Sequence, residues 1–239
     1  MKSAILILLS TLLPLAAHAD AGNKHVLELF TSQGCYSCPP AEALLGELIE
    51  SREDIVALEF HVDYWNDLVY GSAGKWEDPF SNNEYTQRQR RYNGRGLEGN
   101  SGVYTPQAVV NGQAAVVGSN GKAIDQLLKR PAPAFAMLML DREAGSIRVG
   151  VSGKATAPAE VWLYRFDIRN VTDVGAGENK GKTLTNHHVV REVRRLGEWT
   201  GQDQEYVVEG LNFDGGQSCA VVVQLPGQGP VLGADLCPS

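Results

Sequence analysis

The chain has 239 residues, a formal net charge of −7 at pH 7, 43% hydrophobic residues and 21% charged ones. An acidic chain without a basic stripe is a poor candidate for binding nucleic acid or anionic membrane. Its apolar share is enough to bury a core, in one large domain or in two of roughly 100 residues.

The first element is "MKSAILILLSTLLPLAAHAD". Lys2 gives a positive start, residues 4–17 are apolar apart from Ser10 and Thr11, and Ala17-His18-Ala19 reads as an A-x-A cleavage site. The pattern predicts a secretory signal peptide over residues 1–19. Pro14 and the short apolar run argue against a membrane span, which needs roughly 20 apolar residues. No later segment is apolar for long enough, so no span is expected in the mature chain. That chain is expected to be exported, periplasmic or secreted, and to begin near Asp20. Loss of Lys2 leaves 21 − 1 = 20 basic residues against 28 acidic ones, a formal charge of −8.

The next 110 residues alternate strand and helix. "HVLELF" (25–30) is a strand. "AEALLGELIES" (41–51) carries apolar residues at 41, 44, 45 and 48, which is helical spacing. "DIVALEFHV" (54–62) reads as a buried strand. "SNNEYTQRQRRYNG" (81–94) reads as a helix with Ser81 as N-cap, Glu84 closing a capping box and Gly94 as the stop. "PQAVVNGQAAVVG" (106–118) is a hairpin turning at Asn111-Gly112. "NGKAIDQLLKR" (120–130) closes the unit as a helix. The expected order is βαβαββα, an α/β domain over residues 20–130.

After "RPAPA" (130–134), a short stiff linker, the pattern changes. Runs such as "SIRVGVSG", "EVWLYRF", "NHHVVREV" and "CAVVVQL" are short and rich in Val, Leu and aromatics, with turn residues between them. They predict an antiparallel β-sandwich-like domain over residues 133–239.

The four cysteines are Cys35, Cys38, Cys219 and Cys237. An even count in an exported chain suits disulfides, and three pairings are open. Spacing favours 35–38 and 219–237. For the second pair, a hairpin centred on Gln228 in "CAVVVQLPGQGPVLGADLC" sets Val223 against Gly233 and Cys219 against Cys237. Directly opposed strand residues are near enough for a disulfide, so this pair reads as a structural staple.

Cys35-Tyr36-Ser37-Cys38 follows a strand and precedes a helix. A cysteine at a helix N-terminus gains thiolate character, and the thiolate is the attacking species in disulfide exchange. Cys35 is therefore the expected nucleophile and Cys38 the resolving cysteine. Pro39 and Pro40 bear on this, because they remove helical N–H donors and allow the helix to begin after Cys38. His61, ending a strand beside Asp63, is a candidate site neighbour, as a proton donor or a soft-metal ligand. Arg88, Arg91 and Arg95 share a helix face that could hold an anion or form a solvated or internally paired surface. No cofactor and no resident metal are expected, since paired zinc-type C-x-x-C motifs, phosphate loops and nucleophile elbows are missing.

"VLELFTSQGCYSC", followed about 70 residues later by "TPQAVVNG", resembles the thioredoxin superfamily. The resemblance implies that Pro106 is cis and packs on the cysteine pair, and that Thr105 offers its backbone to a partner. The first domain would then be thioredoxin-like. The chain departs from that pattern in having Gly34 before the pair and Tyr36-Ser37 within it. The buried acid would fall near Leu29, with Glu28 on the other face. "ELFTSQGCYSCPPAE", "FHVDYWN", "KWEDPF", "YTPQAVVNG" and "VVREVRRLGEWTG" together resemble an exported thioredoxin-like family catalogued as domain of unknown function 1223. That resemblance spans nearly the whole mature chain and supplies no reaction.

Three functions are consistent with these residues. One is an exported thiol–disulfide oxidoreductase acting on protein thiols or disulfides. The second is a non-catalytic binding module in which Cys35–Cys38 is a strut. The third is Cu(I) handling by the same two cysteines. Oligomeric state is not legible.

Overall fold

The computed structural model describes residues 24–143, 145–213 and 215–238. The expected leader over residues 1–19 lies outside the described residues. In chain order the elements are β1 (His25–Thr31), α1 (Pro39–Ser51), β2 (Ile55–His61), α2 (Asn83–Gly94), β3 (Glu98–Gly99), β4 (Gln107–Val110), β5 (Ala114–Val117) and α3 (Gly121–Leu128). There follow β6 (Ala136–Glu143), β7 (Ser146–Gly153), β8 (Ala159–Asp173), β9 (Thr183–Trp199), β10 (Gln204–Glu209), β11 (Gln217–Gln224) and β12 (Val231–Leu236). No described helix is long and apolar enough to cross a membrane.

Local chemistry explains the elements around the cysteines. β1 and β2 are buried along all seven residues of each, which suits a parallel pair covered on both faces. α1 opens on Pro39 and Pro40, tolerated there because the first helical N–H groups have no intrahelical partner. α2 is capped by Asn82, whose side chain accepts from the Glu84 N–H, so the expected Ser81 cap is displaced by one residue. The β4–β5 turn, residues 111–113, places Asn111 and Gly112 at φ 52° and 64°, the left-handed region that Asn and Gly enter most readily.

The strands do not divide into a thioredoxin-like βαβαββα unit and a separate antiparallel sandwich, and that expectation is corrected. Nine strands form one mixed sheet in the order β12-β11-β8-β9-β2-β1-β4-β5-β3. The join is a parallel contact of β9 with β2, where Glu59 faces Val189. A single apolar core continues across it: Phe60 lies 6.0 Å edge-on from Tyr164, and the Tyr85 hydroxyl donates to the Val190 carbonyl at 3.1 Å. Arg88 is buried here too, paired with Glu28 at 2.6 Å and donating to Gln224 at 3.2 Å, so it belongs to the core. The physical reason is the edge of β2. A buried apolar strand left unpaired would expose its backbone groups, and β9 lies along that edge, pairing with it at Glu59.

The remaining three strands form a second sheet, β10-β7-β6. A second core between the sheets holds Ile147, Val149, Leu163, Trp199 and Val221. Cys219 and Cys237 form a disulfide with Cα atoms 5.2 Å apart, at the end of the β11–β12 hairpin. That hairpin keeps the register of Val223 against Gly233 and shifts by one residue at Gln224.

β8 and β9 are 15 and 17 residues long. Their outer halves pair with each other, from Asp167 against Val189 to Asp173 against Thr183, and β9 keeps Leu184, Asn186 and His188 buried there. Beyond Phe166 the side chains of β8 are mostly exposed or half-buried, and the pair runs outward as an arm. The tip of that arm, residues 174–182, reaches the cysteine turn.

Candidate functional site

Residues 32–38 form two consecutive tight turns between β1 and α1. The Cys35 N–H donates to the Ser32 carbonyl at 3.0 Å, and the Cys38 N–H to the Cys35 carbonyl at 3.2 Å. Cys38 is the N-cap of α1, so Cys35 sits a turn before the helix rather than at its first residue. Both cysteines are free thiols and fully buried.

The helix start offers Cys35 little. Pro39 and Pro40 have no N–H, and the N–H groups of Ala41 and Glu42 both donate to the Cys38 carbonyl. Its thiol is nevertheless held down to about 6, first by the hydrogen bond from the Cys38 thiol. Hydrogen bonds from Ser37 and Thr105 add to this, and burial opposes them. The Ser37 hydroxyl lies 3.3 Å from the Cys35 sulfur. Thr105 Oγ1 accepts from the Trp65 indole N–H at 2.8 Å, which leaves its own proton for the sulfur. Cys38 is pushed the other way, well above the usual thiol range, by burial and by the neighbouring Cys35 sulfur. One thiol is thus poised to ionise and the other to keep its proton.

The Thr105–Pro106 peptide is cis, and Pro106 is buried. Gly118 makes room for it: a Cβ there would lie 2.7 Å from Leu29 Cδ1 and 3.1 Å from Pro106 Cβ. Gly34 serves Trp65 similarly, since a Cβ there would lie 3.3 Å from the Trp65 Cβ. Tyr36, 65% exposed, marks the outer face of the turn.

Beneath the thiols lies a carboxyl on α1. Glu42, four residues after Cys38, is 1% exposed and accepts from Thr31 Oγ1 at 2.7 Å. The Thr31 hydroxyl also stands near enough to Cys38 to act on its ionisation. Burial, with the nearby Glu59 charge, raises Glu42 to about 8. The residue can therefore exchange a proton near neutral pH.

His61 is buried between two acids, with Nδ1 2.7 Å from Asp78 Oδ2 and Nε2 3.1 Å from Glu59 Oε1. Burial works against its positive charge, but the two carboxylates outweigh it and raise the imidazole to about 10. Both ring nitrogens are taken, so His61 has none left for a metal. It does not reach the sulfurs. Its link to them is Asp78, whose Oδ2 also accepts from the Gln33 N–H at 2.7 Å.

The arm from the second half completes the surroundings. Asn179 Nδ2 donates to the carbonyls of Gln33 and Cys35, each at 2.9 Å. Glu178 accepts from the Tyr36 N–H at 2.8 Å. Asn186 on β9 accepts from the Gln33 side chain at 3.0 Å and donates to Glu59 at 2.7 Å. Sequence reasoning missed all of these. A visible signal existed for Glu42, an acid on the inward face of α1 a turn beyond Cys38, and for Glu59, a charge inside an apolar strand. None existed for Asn179.

The family model that matches this chain is described as protein of unknown function (DUF1223) and covers residues 26–224. In fold the chain is similar to an X-ray crystal structure of an Agrobacterium tumefaciens protein, at 30% identity and a TM-score of 0.75, over 92% of this chain and 96% of that one. It is also similar in fold to HBP35 of Porphyromonas gingivalis, at 15% identity and a TM-score of 0.60, over 90% of this chain and 74% of that one. No curated protein matches the sequence.

Proposed function

We propose that this chain, which belongs to the DUF1223 family, is an exported thiol–disulfide oxidoreductase acting on protein thiols or disulfides. The observation that carries the reading is a pair of free thiols two residues apart, with the Ser37 hydroxyl 3.3 Å from the Cys35 sulfur, and their opposed tendencies, Cys35 held down to about 6 and Cys38 pushed up, agree with it. Exchange chemistry needs that asymmetry.

In the reducing direction the Cys35 thiolate attacks one sulfur of a partner disulfide. The S–S bond breaks, a mixed disulfide forms, and one partner sulfur leaves as thiolate. Cys38 loses its proton to a base, for which the ionised form of the nearby Glu42 is the candidate, and attacks the Cys35 sulfur. The second partner thiolate leaves, the pair is now a disulfide, and the partner has gained two electrons. The same steps reversed oxidise a dithiol. Thr105, with its hydroxyl facing Cys35, lies where a partner strand would pair, and Pro106 seats it. Gly34, Tyr36 and Ser37 shape the turn. The kinship with the thioredoxin superfamily that this reading uses is one of site: a C-x-x-C pair facing a proline. Export rests on the leader read from residues 1–19.

Full burial of both sulfurs favours a second reading, in which the pair is a strut in a binding module. Trapping separates the two. The Cys38→Ser variant, mixed with a disulfide-bonded protein such as insulin, is expected to accumulate a mixed disulfide through Cys35, visible as a mass increase removed by dithiothreitol. No adduct, together with no disulfide reduction by the wild type, leaves the strut in front.

A further inference from the structure

The arm of β8 and β9 grips the cysteine turn at several points. The single amide of Asn179, fully buried, donates to the carbonyls on either side of Gly34. Its own oxygen accepts from Lys182 Nζ at 2.9 Å, which fixes the amide with its N–H groups toward the turn. Lys182 also stands 4.4 Å from the centre of the Tyr36 ring. Glu178 holds the Tyr36 N–H. The peptide between Cys35 and Tyr36 is therefore held at both ends by the arm. The tip is built for this approach: Gly177, at φ 73°, lies where a Cβ would sit 3.0 Å from the Trp76 Cβ, and its N–H donates to the Ala73 carbonyl at 3.0 Å.

We infer that Asn179, pinned by Lys182, is a positioning residue for the thiol pair, so that the second half of the chain completes the reactive site. The inference rests on the exchange reading above. Both carbonyls are held by Asn179, which fixes the turn in which the Ser37 hydroxyl, 3.3 Å from the sulfur, and the Ser37 N–H face Cys35. Without the amide, Gln33 keeps a buried carbonyl with no donor and the Cys35 carbonyl keeps only the Cys38 N–H. The turn then relaxes, and the donors move off the thiolate. The titratable and charged groups around Cys35 and its turn are the Cys38 thiol, Tyr64, Tyr70, Glu178 and Lys182, of which only Lys182 is removed in the second comparison. None of them is altered by substituting Asn179.

The test is the rate of Cys35 alkylation by iodoacetamide against pH, in the full mature chain carrying Cys38→Ser, with and without Asn179→Ala. A second comparison adds Lys182→Met, at an exposed position that leaves the buried amide in place. Asn179→Ala is expected to move the midpoint about one pH higher than in Cys38→Ser alone, which slows alkylation by up to about ten-fold below that midpoint, the fall in thiolate fraction for that change. Lys182→Met is expected to act in the same direction and less. Folded Asn179→Ala with an unchanged profile overturns the inference, because a purely structural role lowers stability and leaves the profile alone. Should Asn179→Ala fail to fold, an unchanged profile in Lys182→Met overturns it. A wild type inert toward protein disulfides counts against the exchange reading only, since the alkylation profiles are read without a disulfide substrate.

Discussion

Glu42 has its carboxyl buried against Thr31. Burial raises it to about 8, from about 4.3 in an unfolded chain. The folded protein therefore holds this proton over a range where the unfolded chain has released it. By linkage its contribution to stability is full below about pH 4.3 and is lost as pH rises toward 8. Cys35 has the opposite sign: its depressed thiol adds stability as pH rises above about 6. The informative comparison is thus Glu42→Gln against wild type. The variant is expected to gain relative stability from pH 5 to pH 8, by on the order of a few kcal/mol at the upper end. Urea unfolding at four pH values reads it, and a difference independent of pH contradicts the buried-acid assignment. The thiolate has its own test. Ser37→Ala and Thr105→Val each remove a hydroxyl donor from the sulfur, so each is expected to raise the alkylation midpoint of Cys35. No movement in either would show that the hydroxyls do not hold the charge.

Individual elements were unevenly legible. α1 followed from its apolar spacing, because a helix packed on a sheet buries a single stripe. The cap of α2 was misplaced by one residue, since Ser81 and Asn82 are both good caps and only the chain's entry angle chooses between them. The β11–β12 hairpin was readable because strand pairing is set by the turn, up to the bulge at Gln224. That hairpin closes an 18-residue separation between Cys219 and Cys237. Replacing both with serine is expected to cost about 3 kcal/mol while leaving Cys35 alkylation unchanged. A large change at Cys35 would mean that the staple and the thiol pair communicate. The arm was not readable at all. Its polar residues contact the cysteine turn from more than 140 positions away, as with Asn179 and Cys35. No local pattern carries a contact of that kind.

At the scale of the whole molecule, the sequence pointed to two folding units and the structure is built on one nine-stranded sheet. Composition does shift after residue 130, but a shift in composition is silent about which strand edges meet. The runs "EVWLYRF" and "NHHVVREV" look like sandwich strands because short apolar stretches alternate with charge. Tyr164, Phe166 and Val190 instead enter the core with Phe60 and Tyr85. Residues 24–130 expressed alone would leave the β2 edge bare and these aromatics half covered. The fragment is expected to lack a cooperative thermal transition and to lose hydrogen-exchange protection in β2. A well-folded fragment would contradict the dependence of the first half on β9.

The most direct measurement is the reduction potential of the Cys35–Cys38 pair in glutathione and dithiothreitol buffers, with Cys219→Ser/Cys237→Ser as the control. A depressed Cys35 thiol stabilises the reduced form, so a potential between about −270 and −120 mV is expected, the range of thiol–disulfide catalysts. A value well below about −300 mV, with no attack by Cys35 on a protein disulfide, would contradict exchange chemistry and make the pair a strut.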